Sequence, residues 1–526
     1  MAHARRLEDV ESVSLIVGLE VHVELATRTK MFSRALSPAF AGAHDAPPNS
    51  FIDPTVLGLP GALPTLNMAA VEMAMAVGLA LNCQIARRTK WDRKSYFYPD
   101  LPKSYQISQY DMPLCFDGAF DLPAADALGY PDFDGPTTRI GIVRAHLEED
   151  AGKLLHEAPG GGAIDVTLAD YNRAGTPLLE IVTQPDFRSA DQVVLFCRLL
   201  REICRYAGVT EGVMQRGQMR FEPNINCKLA LRDGRLITTP IVEVKNLNSF
   251  KSVKGAIEFE LAQQPARWVE DGREMGPGQK TTRGWDDVRN LTVVQREKED
   301  AQDYRYFPDP DLPALDVDEA WVEEVRGRLP EMSLARLERC VKEYELGVKE
   351  ASQLVEERAT SDYFERAVDG VVLGGVVRSR AGKATANVLL QSGARRANEQ
   401  GKMMHELGLS AAALAELVLL REKGQINNQA VDVVFGELCA GGGAGGPGAR
   451  EIALARGLII ERDDAAMSGW IDTVLAANDK VAADVRAGKV QAVGRLVGEV
   501  MKLAGGKADA KTVREAILAK LGVTPP

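Results

Sequence analysis

The segment GLEVHVEL, at positions 18–25, constrains the fold most, because apolar and ionisable residues alternate in it without a break. Its apolar residues are Leu19, Val21, Val23 and Leu25, and its ionisable residues are Glu20, His22 and Glu24. Successive side chains of a strand point to opposite faces, so the pattern predicts a strand with one core face and one ionisable face. The ionisable face is either a solvated surface or a cation site, and oxygen-dominated ligands favour Mg²⁺ or Mn²⁺ over Zn²⁺.

A second polar segment, RAHLEEDAGKLLH at positions 144–156, has a similar character. If it begins as a strand, His146 and Glu148 share one face, and Glu149 lies on the other face unless a bulge turns it. The Ala–Gly pair at 151–152 would allow such a bulge. A solvated acidic loop is the alternative that these residues leave open.

A third segment, DYNRAGTPLLEIV at positions 170–182, carries Glu180 within an apolar run. An isolated carboxylate is costly to bury unless it is paired or metal-bound, although the solvated face of a half-buried strand is the alternative. Polar alternation returns at Glu222 in FEPNIN and at Glu243 and Lys245 in VEVKNLNSF. Several strands therefore present acids and amides on one face, which would make a cradle for a metal-bound nucleotide.

A basic and aromatic segment, WDRKSYFYPDLPKSYQISQYDMP, covers positions 91–113 and includes Lys94 and Lys103. Its tyrosines are Tyr96, Tyr98, Tyr105 and Tyr110. Basic residues interleaved with aromatic ones suit contact with phosphate or nucleic acid. A packed loop whose lysines extend to solvent explains the same pattern, and the residues by themselves favour the packed loop.

The order of the segments predicts three parts. Residues 1–315 mix alternating runs with helical stretches, and short polar turns favour antiparallel pairing, so this part is predicted as an α+β domain. Helical spacing in 316–405 and 406–526 predicts an all-α domain and a small helical tail domain. The Gly-rich stretch 439–450 lacks the Gly-Lys-Ser/Thr ending of a phosphate-binding loop and is predicted to be a flexible linker.

Composition argues against several classes of protein. No apolar run reaches the roughly 18 residues of a transmembrane helix, and the N-terminal residues lack the apolar core of a secretory signal. The seven cysteines form no CxxC pair, so buried free thiols, as at Cys197 and Cys204, and a cytoplasmic location are expected. The net charge of −11 argues against sequence-blind binding to nucleic acid.

Taken in order, the motifs resemble one family. They are GLEVHVEL, LGLPGALPTLN, DRKSYFYPDLPKSYQISQYD, RIGIVRAHLEEDAGKLLH, DYNRAGTPLLEIV, FEPNIN, VEVKNLNSF and DYRYFPDPDLP. This series closely resembles the B-subunit family (GatB/GatE) of aspartyl/glutamyl-tRNA amidotransferase, from about Ser14 to the C-terminus, with a weaker likeness in the middle helices. The resemblance implies an antiparallel-sheet cradle similar to the glutamine synthetase fold, then a helical domain and a tail domain that binds tRNA.

The resemblance also implies an activity, that of an ATP-dependent carbon–nitrogen ligase. With ATP and Mg²⁺, this family phosphorylates the side-chain carboxylate of misacylated Glu-tRNA(Gln) or Asp-tRNA(Asn). Ammonia that the partner amidase releases from glutamine then displaces the phosphate. The implied partners are the amidase A-subunit and the small C-subunit in a heterotrimer, together with the misacylated tRNA, and no membrane is expected.

Residue by residue, the resemblance implies a metal site and a set of catalytic groups. The implied metal-site residues are Glu20, His22, Glu149 and Glu180, with Glu222 as a further candidate. Glu149 also matches a position at the mouth of an ammonia tunnel, and Lys94 and Lys103 match basic positions near that tunnel and the phosphates. These three are the implied catalytic residues. A neutral Gln is frequent in the family at the position of Glu24, which argues against a ligand role there.

The sequence departs from the family at FEPNIN, where Glu222 stands at a position that often holds the shorter Asp, which argues against a ligand role for it, and in one further segment. Many members carry a four-cysteine zinc site there, whereas positions 31–61 contain no cysteine, so no structural zinc is expected. A non-catalytic tRNA-binding scaffold is the alternative from another class, and the retained acids and imidazole argue against it. A free-standing ligase for a small molecule would leave the tail unexplained. The sequence leaves open whether Glu-tRNA(Gln), Asp-tRNA(Asn) or both is the substrate.

Overall fold

In the computed structural model, the alternating segments form neighbouring strands of one large sheet. The structure describes residues 5–40, 46–158, 160–296, 304–441, 446–460, 464–487, 489–504, 508 and 510–523. The chain falls into two units, Met1–Arg336 and Leu337–Pro526. The large sheet belongs to the first unit.

The strands of the described ranges all lie in the first unit. In chain order they are β1 (Val10–Glu24), β2 (Gln84–Ile85), β3 (Arg88–Thr89), β4 (Asp92–Ser95), β5 (Tyr105–Ser108), β6 (Cys115–Ala125), β7 (Pro131–Glu149), β8 (Lys153–Glu157), β9 (Ala163–Asp170), β10 (Pro177–Thr183), β11 (Met219–Leu231), β12 (Leu236–Thr238), β13 (Val242–Lys245), β14 (Thr281–Asp286), β15 (Leu291–Arg296), β16 (Phe307–Pro308) and β17 (Leu315–Asp316).

The large sheet has the strand order β15-β14-β13-β11-β1-β10-β7-β5-β4-β16. Strand β12 pairs with β11, and β6 pairs with both β2 and β7. All of these pairs are antiparallel except β13 with β14, which is parallel. Strands β8 with β9 and β3 with β17 form two small separate sheets. The antiparallel α+β character predicted from the short turns is confirmed.

Helices cover the apolar face of the sheet. The helices of the first unit include α1 (Met68–Ala80), α2 (Ala190–Tyr206), α3 (Phe250–Asp271) and α4 (Glu319–Arg328), with short 3₁₀ turns at Leu7–Asp9 and Met214–Arg216. Helices α2 and α3 begin after Ser189 and Ser249, whose side chains accept hydrogen bonds from backbone N–H groups of the first turn. The core residues shared by the sheet and these helices include Val21, Val23, Leu179, Ala74, Phe196 and Ile257.

From Ser333 onward, the described part of the chain is helical, as predicted. Its helices are α5 (Ser333–Tyr344), α6 (Val348–Val355), α7 (Arg358–Leu373), α8 (Arg378–Val388), α9 (Ala394–Gln400), α10 (Ala411–Glu422), α11 (Asn428–Ala440), α12 (Ala449–Ala455), α13 (Asp464–Ala477), α14 (Asp479–Arg486), α15 (Val493–Leu503) and α16 (Ala510–Leu521). A π turn at Leu389–Gly393 joins α8 to α9, and 3₁₀ turns occupy Met404–Glu406 and Val490–Ala492.

The last four helices, α13 to α16, share a small hydrophobic core of their own. It includes Ile471, Val474, Val485, Leu496, Val500, Val513 and Ile517. Helix α10 instead packs against α7 and α8. The three-part division at 315 and 405 stays a prediction, and the Gly-rich stretch predicted as a linker lies partly outside the described residues, at 442–445.

All seven cysteines are free thiols, and all except Cys439 are buried. The prediction of buried thiols at Cys197 and Cys204 is therefore confirmed. Within the described ranges, no helix combines the length and the apolar character needed to cross a lipid bilayer.

Candidate functional site

The polar faces of four adjacent strands meet in the middle of the large sheet. Residues directly opposite each other in antiparallel strands share a face. One row of opposed residues, across β11, β1, β10 and β7, is Arg220, His22, Glu180 and His146. The next row is Glu222, Glu20, Val182 and Arg144. On β7, Glu148 lies two residues beyond His146 and therefore on the same face, opposite Leu178.

Five of these side chains form what we call the carboxylate cluster: Glu20, His22, His146, Glu148 and Glu180. The Nε2 atom of His22 lies 3.6 Å from an oxygen of Glu20, 3.6 Å from one of Glu180 and 3.9 Å from one of Glu148. The Nε2 atom of His146 lies 3.8 Å from Glu180 and 4.0 Å from Glu148. Distant segments of the chain are thus brought to one point.

The cluster contains two overlapping sets of potential metal ligands. In Glu20–His22–Glu180 and in His146–Glu148–Glu180, the ligand atoms lie within 4.8 Å of one another. Ligands about 2.1 Å from a Mg²⁺ ion lie about 3–4 Å apart, so both sets have the spacing of a cation site. Carboxylate oxygens outnumber imidazole nitrogens, which favours a hard cation such as Mg²⁺ or Mn²⁺.

One fully buried polar atom of the cluster lacks a hydrogen bond. The Nδ1 atom of His22 is buried and has no hydrogen-bond partner among the described residues. The carboxylate of Glu222 lies 3.9 Å from it, which is too far for a hydrogen bond. Buried polar groups are normally satisfied, so an orphaned imidazole nitrogen beside the Glu222 carboxylate suits a site that binds a ligand.

Two of the three carboxylates of the cluster, Glu20 and Glu148, resist ionisation. Burial raises the pKa of Glu20 to about 7, and the negative charge of Glu180 adds to this shift. Burial also raises the pKa of Glu148 to about 7, again with a contribution from Glu180. A cation bound among them would favour the ionised forms, because opposite charge lowers the pKa of a carboxyl group.

The two histidines of the cluster titrate in opposite directions. Burial favours the neutral form of His22, but the contact with Glu180 and the charge of Glu222 outweigh it and raise the pKa of His22 to about 9. Burial lowers the pKa of His146 to about 4, so this imidazole is neutral at pH 7, the form that binds metals. Burial disfavours the carboxylate of Glu180, yet the two histidines together hold its pKa below the ordinary value.

Basic side chains border the cluster on the β7 side. The Nη2 atom of Arg144 lies 3.8 Å from a carboxylate oxygen of Glu180. Burial opposes the charge of Lys94, but the carboxylates of Glu148 and Glu180 outweigh it and raise the pKa of Lys94. Lys94 is therefore protonated at neutral pH and faces the acids.

Further basic side chains lie on the opposite side, around β11 and β13. Lys245 Nζ donates to Glu222 at 2.8 Å and lies 2.9 Å from a carboxylate oxygen of Glu243. Arg220 Nη2 donates to Asp150 at 3.0 Å. The acids are thus enclosed between two sets of cations, an arrangement that suits a ligand with several negative oxygens.

The cluster lies in the wall of a cavity of about 860 Å³, a volume in the range of small-molecule sites. Its basic lining residues are Lys94, Arg144, Arg220, Lys245 and Lys280. A second cavity, of about 720 Å³, shares Arg220, Glu222 and Lys245 with the first. These shared side chains form a charged boundary between the two cavities.

The structure brings together some of the predicted site residues and separates others. Glu20, His22, Glu180 and Lys94 line the same cavity. Glu149 and Lys103 do not line it, and Glu148 rather than Glu149 completes the cluster. The metal and catalytic roles themselves stay predictions.

Glu149 is kept out of the cluster by the regular geometry of β7. Residues 146–149 pair one-to-one with residues of β10, so no bulge turns Glu149 toward the polar face. Its side chain instead pairs with Lys103 and accepts a hydrogen bond from the backbone N–H of Ile107 at 3.0 Å. The carboxylate is buried, with 4% of its side chain exposed.

Four residues of the site carried a sequence signal and were given no role. Strand alternation in RAHLEE places His146 and Glu148 on one face, and Arg144 follows by the same rule. Arg220 precedes Glu222 by two positions, so strand alternation places these two side chains on one face as well. Lys280 had no such signal, because it reaches Glu243 from the loop before β14.

Known proteins resemble the chain along nearly its whole length. Residues 15–323 match the family model described as "GatB/GatE catalytic domain", and residues 372–521 match the model described as "GatB domain". A Carboxydothermus hydrogenoformans protein, named as the B-subunit of aspartyl/glutamyl-tRNA(Asn/Gln) amidotransferase, is 39% identical over 509 residues, 96% of this chain and 98% of that protein. Proteins of the same name from Moorella thermoacetica and Rhodopirellula baltica are each 40% identical, over 96% of this chain and over 99% and 96% of their own lengths.

Proposed function

The chain belongs to the GatB/GatE family of tRNA amidotransferase subunits, and from this we propose that it carries the kinase and transamidase steps of such an enzyme. The proposed substrates are ATP and a misacylated tRNA, either Glu-tRNA(Gln) or Asp-tRNA(Asn). The proposed product is the corresponding Gln-tRNA(Gln) or Asn-tRNA(Asn). The relatives carry both amino acids and both tRNAs in their names, which is why both substrates are kept.

The chemistry of the substrate requires two steps. A carboxylate is a poor acyl donor, because its leaving group would be an oxide ion. In the first step a carboxylate oxygen of the aminoacyl side chain takes the γ-phosphoryl group of ATP, and ADP leaves. In the second step the nitrogen of ammonia attacks the acyl carbon, phosphate leaves, and the nitrogen loses a proton to give the amide.

The carboxylate cluster fits a divalent cation, and Mg²⁺ is the proposed one. Glu20, Glu148 and Glu180 would hold it, with His22 beside them, since the three glutamates supply hard oxygen ligands and the Nε2 atom of His22 faces all three. When bound, the cation neutralises charge on the transferring phosphoryl group.

The basic residues around the cavity would position the anionic substrates. Phosphoryl transfer depends mainly on alignment and on stabilisation of the charge of the equatorial oxygens. Lys94 and Arg144 lie on one side of the cluster, and Arg220 and Lys245 lie on the other. From these positions they would hold phosphate oxygens and the acceptor carboxylate, which would otherwise be repelled by the glutamates.

The proposed assembly supplies the ammonia and the tRNA-binding surface that the carboxylate cluster does not provide. The amidase A-subunit would release ammonia from glutamine, and the small C-subunit would complete the heterotrimer. The helical tail would hold the tRNA. Glu149 and Lys103, which pair away from the cavity, keep their proposed place at the mouth of an ammonia path.

One observation carries the proposal: three glutamates and two histidines from three strands meet at one point inside a cavity that is also lined with cations. A non-catalytic tRNA-binding scaffold would not need this costly concentration of buried charge. The site therefore favours a catalytic role over that of a scaffold.

The test uses the chain assembled with its partner proteins. With ATP, Mg²⁺, glutamine and misacylated tRNA, the wild-type complex is expected to form amidated tRNA and to hydrolyse ATP only when misacylated tRNA is present. Glu20→Gln is expected to lower both rates at least 100-fold, while the glutaminase activity of the complex persists. Amidation at the wild-type rate by Glu20→Gln would remove the cluster from the reaction.

A further inference from the structure

Five tyrosines line one wall of the cavity that contains the carboxylate cluster. They are Tyr96, Tyr98, Tyr110, Tyr304 and Tyr306, and we call them the tyrosine wall. The protein has eleven tyrosines in all, so nearly half of them gather at one cavity. They come from two segments about 200 residues apart in the sequence, which only the fold brings together.

The rings of the tyrosine wall form a continuous series of contacts. Tyr110 and Tyr306 stack with ring centres 4.2 Å apart and planes inclined by 10°. Tyr306 meets Tyr304 edge-on at 6.1 Å, Tyr304 meets Tyr96 at 6.3 Å, and Tyr96 meets Tyr98 at 5.7 Å. The backbone fixes this arrangement, because Ser95 N–H donates to the carbonyl of Tyr304 at 2.9 Å and β16 pairs with β4.

The tyrosine wall is not a packed core. Tyr110 is 58% exposed, Tyr98 is 48% exposed and Tyr96 is 36% exposed. Tyr306 covers one face of the Tyr110 ring, and the exposure of Tyr110 leaves area on which another flat ring could continue the stack. Exposed aromatic rings grouped beside a polar site mark a place of binding.

The tyrosine wall adjoins groups that attract phosphate. The Nζ atom of Lys94 lies 4.8 Å from the centre of the Tyr304 ring, and Lys94 lines the cavity together with Glu148. A flat aromatic surface beside a cation and a candidate Mg²⁺ site combines the two elements that recognise a nucleotide, base stacking and charge neutralisation.

We propose that the tyrosine wall binds an adenine base by stacking, with Tyr110 as the outermost ring. This inference rests on the proposed function, because both proposed substrates carry adenine. ATP contains it, and the unpaired 3′ end of tRNA ends in adenosine. In either case the stacked base orients the ligand so that its reacting group reaches the carboxylate cluster.

The test measures stacking directly with 2-aminopurine, a fluorescent adenine analogue that is quenched when it stacks. One arm uses 2-aminopurine riboside triphosphate, and the other uses an RNA hairpin with 2-aminopurine at an unpaired 3′ end, each titrated with the full chain in its assembled complex. Quenching in the first arm assigns the wall to ATP, quenching in the second assigns it to the tRNA end, and either result supports the proposal.

Variants show whether the quenching arises from stacking on the tyrosine wall. Tyr110→Ala is expected to weaken binding of the quenched probe about 10-fold, in line with the cost of losing one stacking ring, and Tyr110→Phe is expected to restore it. Tyr98→Ala is a second variant, since its ring is also well exposed. Phe97→Ala is the matched control, because Phe97 lies in the same segment, is 81% exposed and does not line the cavity.

The outcome separates this inference from the proposed function. No quenching in either arm, or equal binding by Tyr110→Ala and Phe97→Ala, would overturn the stacking role. Because the probes report binding without chemistry, quenching that survives in a complex without amidation activity would leave the adenine site in place and count against the catalytic proposal alone.

Discussion

Glu148 and Glu149 are neighbours in β7, yet their carboxylates lie on opposite sides of the sheet. Glu148 points into the cavity and lies 3.9 Å from His22. Glu149 follows the buried Leu147 on the other face and pairs with Lys103. Two adjacent acids of the same type therefore meet different partners, and their substitutions should have separable effects.

Glu148→Gln is expected to raise the Mg²⁺ concentration for half-maximal amidation at least 10-fold, because one carboxylate is removed from the proposed cation site. Glu149→Gln is expected to leave that concentration within about 2-fold of the wild type. It should instead lower the free energy of unfolding by about 3–5 kcal/mol, because Lys103 is left buried without its acid. Amidation rates at varied Mg²⁺ and thermal melting give the two readouts.

The family resemblance, taken alone, assigns the metal-ligand role to Glu149 and not to Glu148. It implies that Glu149 is a metal ligand, so an equal or larger Mg²⁺ effect in Glu149→Gln than in Glu148→Gln would contradict the geometry described above. Loss of amidation in Glu149→Gln with an unchanged Mg²⁺ requirement would agree with a role in the ammonia path.

Strand alternation was the most reliable guide to the site. Period two placed Glu20 with His22 and placed His146 with Glu148, and the structure agrees on both. The metal-site set implied by the resemblance included Glu149, which regular pairing turns away. The pairing of β1 with β10 and with β11 could not be predicted, because it joins segments more than 100 residues apart.

The pKa values of Glu20 and Glu148 predict how Mg²⁺ binding should depend on pH. Both are raised to about 7, mainly by burial, so the metal-free protein holds protons on them at pH 6 and has released most of them by pH 8. Binding must displace these protons, and the affinity should therefore rise between pH 6 and pH 8, by about 10-fold for each group. The pKa of about 9 for His22 acts in the same direction.

Calorimetric titration with MgCl₂ in two buffers of different ionisation heat measures both the affinity and the protons released. Glu20→Gln removes one of the titrating groups and should make the pH dependence shallower. An affinity that stays flat from pH 6 to pH 8, with no proton release, would exclude these carboxyls as ligands.

A substitution at Gly78 in helix α1 can test how tightly this helix packs on the sheet. A Cβ atom added at Gly78 would lie 2.5 Å from the Sγ atom of buried Cys115 in β6. Gly78→Ala is therefore expected to lower stability by about 1–3 kcal/mol, although alanine favours helices by about 1 kcal/mol over glycine.

Gly327→Ala in α4 is the matched control, because a Cβ atom there would meet no heavy atom within 4 Å. It should raise stability by up to about 1 kcal/mol. Thermal melting of the two variants gives the comparison, and a Gly78→Ala protein that melts at or above the wild-type temperature would show that α1 and β6 have room to move apart.

The class of fold was predictable from the sequence, and the limits of its parts stay predictions. Short turns and alternating runs predicted the antiparallel α+β part, and helical spacing predicted the rest. Helices α7 and α10 lie on either side of the predicted limit at 405 and are in close contact, since a Cβ at Gly370 in α7 would lie 2.7 Å from the Cβ of Ala415 in α10. Such close helix contacts cannot be recognised from composition, because alanine and glycine occur throughout the helical part of the chain after Ser333.

The tail is best tested by ending the chain after Ile460. This removes α13 to α16, whose shared core includes Ile471, Leu496 and Ile517, and it keeps the contact between α7 and α10. We expect the shortened chain, assembled with its partners, to bind misacylated tRNA at least 10-fold more weakly.

Its Mg²⁺ requirement and the melting of the sheet-containing unit should stay unchanged, because the core of that unit is built from residues before 336. Filter binding with misacylated tRNA and thermal melting provide the two measurements. Since the chain as a whole is acidic, with a net charge of −11, tRNA affinity must come from a local surface rather than from overall charge. Unchanged affinity after the truncation would therefore place that surface before residue 461 and remove the tRNA-binding role from the last four helices.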